Sequence, residues 1–148
     1  MRIAIPLCLL AASCATGPQI HPDLHGQSEE LVAAMRVLAR DYVEPPGRHS
    51  QGGGMGWPVW PYGMVVAIDG PMIAIRMNDP KEASGNVEDA LMPISTPERE
   101  DHHGHGVVAG RHGDVLICRF FPWGLDSDTP PQIGDSAHLI TTWQRYRR

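Results

Sequence analysis

Basic charge, aromatic rings and cysteine are all scarce in this chain of 148 residues. Its 12 Lys and Arg stand against 17 Asp and Glu, for a formal charge of −5. Nucleic acid is recognised through a basic face, so this balance argues against DNA and RNA as partners. Phe, Trp and Tyr make up only 6% of the residues, which leaves a mainly aliphatic core. There is no long hydrophobic run: Ile3 to Ala12 is apolar but broken by Pro6, too short to hold a bilayer as a spanning helix. Catalytic signatures are missing too. Gly52-Gly53-Gly54 lacks the following Lys and Ser/Thr of a phosphate loop, and neither a nucleophile elbow nor a His-Glu-x-x-His pair occurs. These absences point to a non-enzymatic protein with no obligatory cofactor. Gly (16) and Pro (14) are plentiful and predict much turn and loop. With 42% hydrophobic and 20% charged residues, the chain suffices for one packed domain.

The N-terminus carries the clearest address. Arg2 supplies a positive start, the apolar stretch follows, and small residues close it, so residues 1–13 read as a signal peptide. Leu10-Ala11-Ala12-Ser13-Cys14 resembles the lipobox of bacterial lipoprotein precursors, departing from its commonest form by having Ala11, not Leu, three residues before the Cys. The resemblance covers the targeting segment alone. It implies that Cys14 becomes the lipidated N-terminus, carrying acyl chains such as palmitate. More than one chain makes a stable membrane anchor. Ala15 stands where some lipoproteins have the Asp that retains them in the inner membrane, which implies an outer-membrane lipoprotein facing the periplasm. Ordinary cleavage after Ala15 is the alternative and gives a secreted or periplasmic protein. Cys118 is left without a partner, and its neighbours Val115-Leu116-Ile117 and Phe120-Phe121 predict burial.

Beyond the signal, residues 14–27 read as a lipidated Cys and a flexible tether. Residues 28–44 read as a helix: Ser28 is a good N-cap, and Leu31, Met35, Leu38 and Tyr42 recur at helical spacing. A Gly/Pro/Trp connector occupies 45–62. A β-domain spans 63–144, and 145–148 is a basic tail. Within the β-domain, Asp69-Gly70 between apolar runs is a hairpin signal. A turn of those two residues sets Ile68 opposite Pro71, Val66 opposite Ile73 and Met64 opposite Ile75, all six on a core face. Setting Gly63 on Gly106 matches a second hairpin at an offset of 43, with Arg111 facing Asp114 across His112-Gly113. After the turn signal Ile133-Gly134-Asp135, a last strand is expected from Ala137 to Trp143. The expected fold is mainly β: a small five-stranded barrel or rolled antiparallel sheet with one N-terminal amphipathic helix. Its Gly-led hairpins resemble SH3-like and OB-like modules. A long acidic, histidine-bearing loop is expected at 78–105.

Three sets of residues carry binding chemistry. Asp101, His102, His103 and His105, with His112 at the second hairpin tip, are candidate ligands for Zn²⁺, Cu²⁺ or Ni²⁺, because neutral imidazole is the commonest ligand for these ions. In an extended chain His103 and His105 point the same way, and His112 lies roughly 20 Å further along. Trp57, Trp60 and Tyr62, interleaved with Pro, form a candidate interaction surface, or else a cover for one end of the core. Cys14 is the lipidation site. Cys118 with His138 would be a nucleophile and base only if the thiol were exposed. The expected partners are the membrane, through the lipid, and an unidentified envelope protein or cell-wall component.

Overall fold

The computed structural model describes residues 17–43, 63–79, 91–95, 102–122 and 130–138. Among them are seven strands and one α-helix: β1 (Gln19–Ile20), a 3-10 helix (Pro22–Gln27), α1 (Ser28–Asp41), β2 (Gly63–Asp69), β3 (Met72–Met77), β4 (Leu91–Ser95), β5 (His102–His112), β6 (Val115–Pro122) and β7 (Ser136–Ala137). The mainly β class with one helix is as expected, and the number of strands is larger. All pairings are antiparallel, in the order β1-β2-β3-β6-β5-β4-β7. β7 pairs two residues with β4 and two with β2. β7 thus reaches both β2 and β4 through two residue pairs each, and the expected barrel is not closed.

Both Gly-led hairpins form, one residue out of the expected register. Gly70 takes φ +57 and Gly113 φ +61, each as the first of two turn residues, so Asp69 pairs with Met72 and His112 with Val115. The turns are thus Gly70-Pro71 and Gly113-Asp114. What the two turns share is a glycine at the first turn position, where φ is positive; in the first hairpin proline adds to this, since its ring holds a negative φ and it lacks a donor, so it suits the second turn position better than the ladder. Arg111 consequently lies opposite Leu116, not Asp114.

A bulge then reverses part of the expected core face. Val65 pairs with Ile75 and Ala67 with Ala74, leaving Val66 as the extra residue. Because side chains alternate along a strand, one extra residue flips everything before it. Val65, Ile68, Ile73 and Ile75 pack in the inner cluster, whereas Met64 and Val66 pack outside with Ala67, Met72 and Ala74. The second hairpin repeats this design at the same offset of 43. Its bulge lies between Val108 and Gly110, and the central β3–β6 ladder is symmetric about the pair Ala74–Ile117.

Helix α1 explains why both faces are apolar. Leu31 and Met35 are buried against Met72, Ala74, Val115 and Ile117 on the outer face. Arg36 donates to Asp69 at 2.9 Å and ties the helix to the first hairpin tip. Arg36 is 64% exposed, so this pair contributes at most about 1 kcal/mol. The helix start differs from the expected one. The 3-10 helix runs directly into α1, Ser28 already has helical angles, and its hydroxyl donates to the His25 carbonyl instead of capping. The tether expected to reach Gln27 is correspondingly shorter. Gln19 and Ile20 pair with Ile68 and Ala67, and Leu24 is buried beneath the helix. Two isolated apolar residues show no period, which is why this segment read as tether.

The far edge of β2 is covered piece by piece. β7 pairs with Gly63 and Met64, Val65 exchanges backbone bonds with Asp135 and Gly134, His21 donates to Val66, and β1 takes Ala67 and Ile68. Covering an edge in this way prevents strand addition by other chains. The turn at 132–135 forms as its sequence signalled. Asp135 is 2% exposed; its carboxylate accepts from the Gln132 amide at 2.8 Å, and Gly134 takes φ +97.

The expected loop 78–105 is interrupted by β4, and β5 begins at His102. Hydrophobic alternation missed this part of β5 because its inward positions, Gly104 and Gly106, have no side chain. The space is filled from next door: a Cβ on Gly106 would lie 2.9 Å from Cys118 Cβ and 3.4 Å from Ile73 Cδ1. Gly106→Ala is therefore expected to destabilise the fold by about 1–3 kcal/mol in urea denaturation through overpacking. Gly26→Ala, with nothing within 4 Å of the added Cβ, stays within about 0.5 kcal/mol of the parent.

Candidate functional site

The outer face of β5 and β6 beyond the helix carries a cluster of rings and one cation. In an antiparallel pair, directly opposed residues share a face, so His105 opposite Phe121 and Val107 opposite Arg119 form two rows of one patch. His105 stacks on Phe121 with centroids 5.6 Å apart and planes 25° apart. Tyr42, just past the end of α1, meets the same ring at 6.2 Å and a 50° tilt. The Arg119 guanidinium carbon lies 5.8 Å from the Phe121 centroid, a cation–π contact contributing roughly 0.5–1 kcal/mol. All four residues are half-buried, but the Tyr42 hydroxyl and both His105 ring nitrogens are shielded from solvent, so what the patch exposes is carbon surface and the Arg119 side chain. Only His105 was singled out in the sequence. The others were missed because the cluster joins residue 42 to residues 105–121 through tertiary packing.

Rings supply apolar area with little entropy to lose, and the guanidinium supplies one fixed positive charge. A second arginine sits at the position 43 residues earlier: Arg76, whose guanidinium lies 3.5 Å from Asp23. Asp23 also contacts His21 Nδ1 at 3.5 Å. The two hairpins thus use their equivalent arginines differently, one against a carboxylate and one against a ring.

The expected metal set is divided by the strand. His102, His103 and His105 lie at one end of β5 and His112 at the other, opposite Val115. Seven residues at about 3.3 Å each separate His105 from His112 by roughly 23 Å, so His112 is not part of a common site with them. A register shift places Gly104 opposite Ile94 and His102 opposite Ser95, leaving His103 as the extra residue. His103 and His105 are therefore not on a regular alternation. Among the described residues, no group of three or more His, Cys, Asp or Glu is placed to hold a metal ion. Asp101, Cys14, Trp57, Trp60 and Tyr62 lie outside the described residues, as do the signal peptide and the basic tail. Among the described residues, no helix is long and apolar enough to cross a membrane.

Cys118 is fully buried between β3 and β5, with Ile73 and Val108 as its cross-strand partners. Burial pushes its thiol far above the usual range, so the nucleophilic thiolate is not formed at neutral pH. In a Cys8→Ser, Cys14→Ser background, Cys118 is expected to ignore a thiol reagent in the native state and to react once urea unfolds the chain. Unfolding frees a thiol of ordinary pKa, near 8.5, which binds fewer protons than the buried one above that pH. Stability should therefore hold below about pH 8.5 and fall as pH rises, by at most about 1.4 kcal/mol per unit. Cys118→Ala, compared by denaturation at each pH, should remove that slope.

No protein-family model, curated protein or solved structure matches this chain.

Proposed function

We propose that this is a non-enzymatic, lipid-anchored cell-envelope protein whose rolled sheet serves as an interaction module of the SH3-like or OB-like kind. The observation that carries the reading is Leu10-Ala11-Ala12-Ser13-Cys14, a lipobox-like end to a short apolar signal. The ordered start of the chain adds a geometric consequence. Gln19 already pairs in the sheet, five positions after Cys14, so a lipid on Cys14 would hold the domain within roughly 17 Å of the membrane surface at about 3.4 Å per residue. The partner would then be a molecule of the same envelope layer, an envelope protein or a wall component. The half-buried patch of Tyr42, His105, Arg119 and Phe121 supports an interaction role, because aromatic rings and arginine are the residues that dominate binding surfaces. The outer membrane, facing the periplasm, is the proposed location. In producing cells, Cys14→Ser is expected to move the protein from the membrane to the soluble fraction. Mass spectrometry of the mature parent should find an acylated N-terminal Cys14; an unmodified chain starting at Thr16 would overturn the anchor and leave a secreted or periplasmic protein.

The second reading is divalent-metal binding at the start of β5, through Asp101, His102, His103 and His105. The observation in its favour is the bulge at His103, since bulges re-aim side chains and collect near functional sites. Calorimetric titration with Zn²⁺, Cu²⁺ and Ni²⁺ is expected to show saturable binding that His103→Ala with His105→Ala abolishes. Unchanged binding in the double variant would dismiss the site.

A further inference from the structure

The likeness of the two hairpins extends to the surroundings of their arginines. Arg76 lies in the ladder between Met64 and Val115, and Arg119 lies between Val107 and Met72. The two settings match at the offset of 43: Met64 falls on Val107, Met72 on Val115 and Arg76 on Arg119. Both arginines are half-buried. Arg76 meets the segment that leads into α1, and Arg119 lies by the ring that touches Tyr42, just past the end of α1.

What the two arginines hold differs. At Arg76 the 3-10 helix brings the Asp23 carboxylate to 3.5 Å, and the next residue, Leu24, is buried in the outer cluster. Arg36 and Arg40 also hold carboxylates, those of Asp69 and Asp41. Among the described residues, no carboxylate lies within ion-pair distance of Arg119, whose contact is the Phe121 ring. A ring attracts the charge but does not engage the planar fork of five N–H donors as a carboxylate does. Beside this guanidinium the patch offers the carbon surface of Tyr42, His105 and Phe121.

We propose that the face around Arg119 and Phe121 binds an acidic peptide segment of a partner protein. A carboxylate accepts from the Arg119 guanidinium, and an adjoining apolar side chain covers the rings of Phe121 and Tyr42. The pattern for this ligand is Asp23-Leu24, which the chain itself lays against the equivalent arginine. A neutral sugar could cover the rings but would leave the fork without its anion. The inference rests on the reading of this face as an interaction surface, and not on the anchor at Cys14.

The test uses the full chain carrying Cys14→Ser. The probe is a peptide of residues 22–27, Pro-Asp-Leu-His-Gly-Gln, capped at both ends and added in trans at millimolar concentration. NMR should show saturable shifts at the Arg119 side chain and the Phe121 ring. Asp23→Asn in the peptide should weaken binding about ten-fold, and so should Arg119→Gln in the protein, the cost of losing one charge-assisted contact. Arg76→Gln should change the affinity by less than about two-fold, because Asp23 of the chain already holds that site. Shifts at Arg76 in place of Arg119, or equal affinity for the Asn peptide, would overturn the proposal. The Asn peptide leaves the protein unaltered, so this comparison stands whether or not the Arg119 variant folds. Shifts of Phe121 and Tyr42 that survive Arg119→Gln would overturn the proposal but keep the interaction surface. No shift anywhere on this face would overturn both.

Discussion

Burial of the same strands on both faces is the constraint on which the rest of this structure depends. β3 and the first half of β6 have Ile73, Ile75, Leu116 and Cys118 facing into the roll and Met72, Ala74, Val115 and Ile117 facing the helix. Neither face tolerates water, so neither the sheet nor the helix is complete without the other. Helix α1 is 14 residues long, a length that is marginal on its own, and it is held by the outer face of the sheet. The sheet in turn needs the helix, because an outer face of Met, Ala, Val and Ile left in solvent would be an aggregation surface.

The two bulges reconcile this two-sided burial with curvature. An extra residue increases local twist and bends the strand. Placing one in β2 and one in β5, each four residues before a turn glycine, bends both outer strands of the central four in the same sense. At Gly110 the curvature also admits the helix: Leu38 packs where a side chain would otherwise stand, 2.8 Å from the position of an added Cβ. Glycines at inward positions of β5 do the complementary work inside the roll, letting Cys118 and Phe120 fill the space. The scarcity of aromatic residues is met by close backbone approach rather than by large side chains.

Function is best understood from what this core leaves at its margin. The Cys118 thiol is sealed inside and serves as a small apolar residue. At the margin, half-buried rings and the Arg119 guanidinium gather where α1 ends over β5 and β6, with the nitrogens of His105 turned away from solvent. They are mounted on paired strands, so their spacing is set by the ladder rather than by a loop.

Much of the architecture was legible because its signals are local. Gly70 and Gly113 mark turns, the apolar runs around them mark strands, the spacing of Leu31, Met35 and Leu38 marks the helix, and the 43-residue offset marks the likeness of the hairpins. The lipobox-like motif is local too. What sequence pattern missed was non-local. Gly104 and Gly106 show no hydrophobic period, since their partners across the sheet provide the bulk. Gln19 and Ile20 become a strand only because the edge of β2 needs covering. Tyr42 joins His105, Arg119 and Phe121 only because the helix lies across the outer face. Local chemistry by itself determined the kinds of element and their order. Tertiary packing decided the face that each residue presents, since a single bulged residue, Val66, inverts the pleat for every residue before it, and only the fit of the two clusters selects where that residue goes.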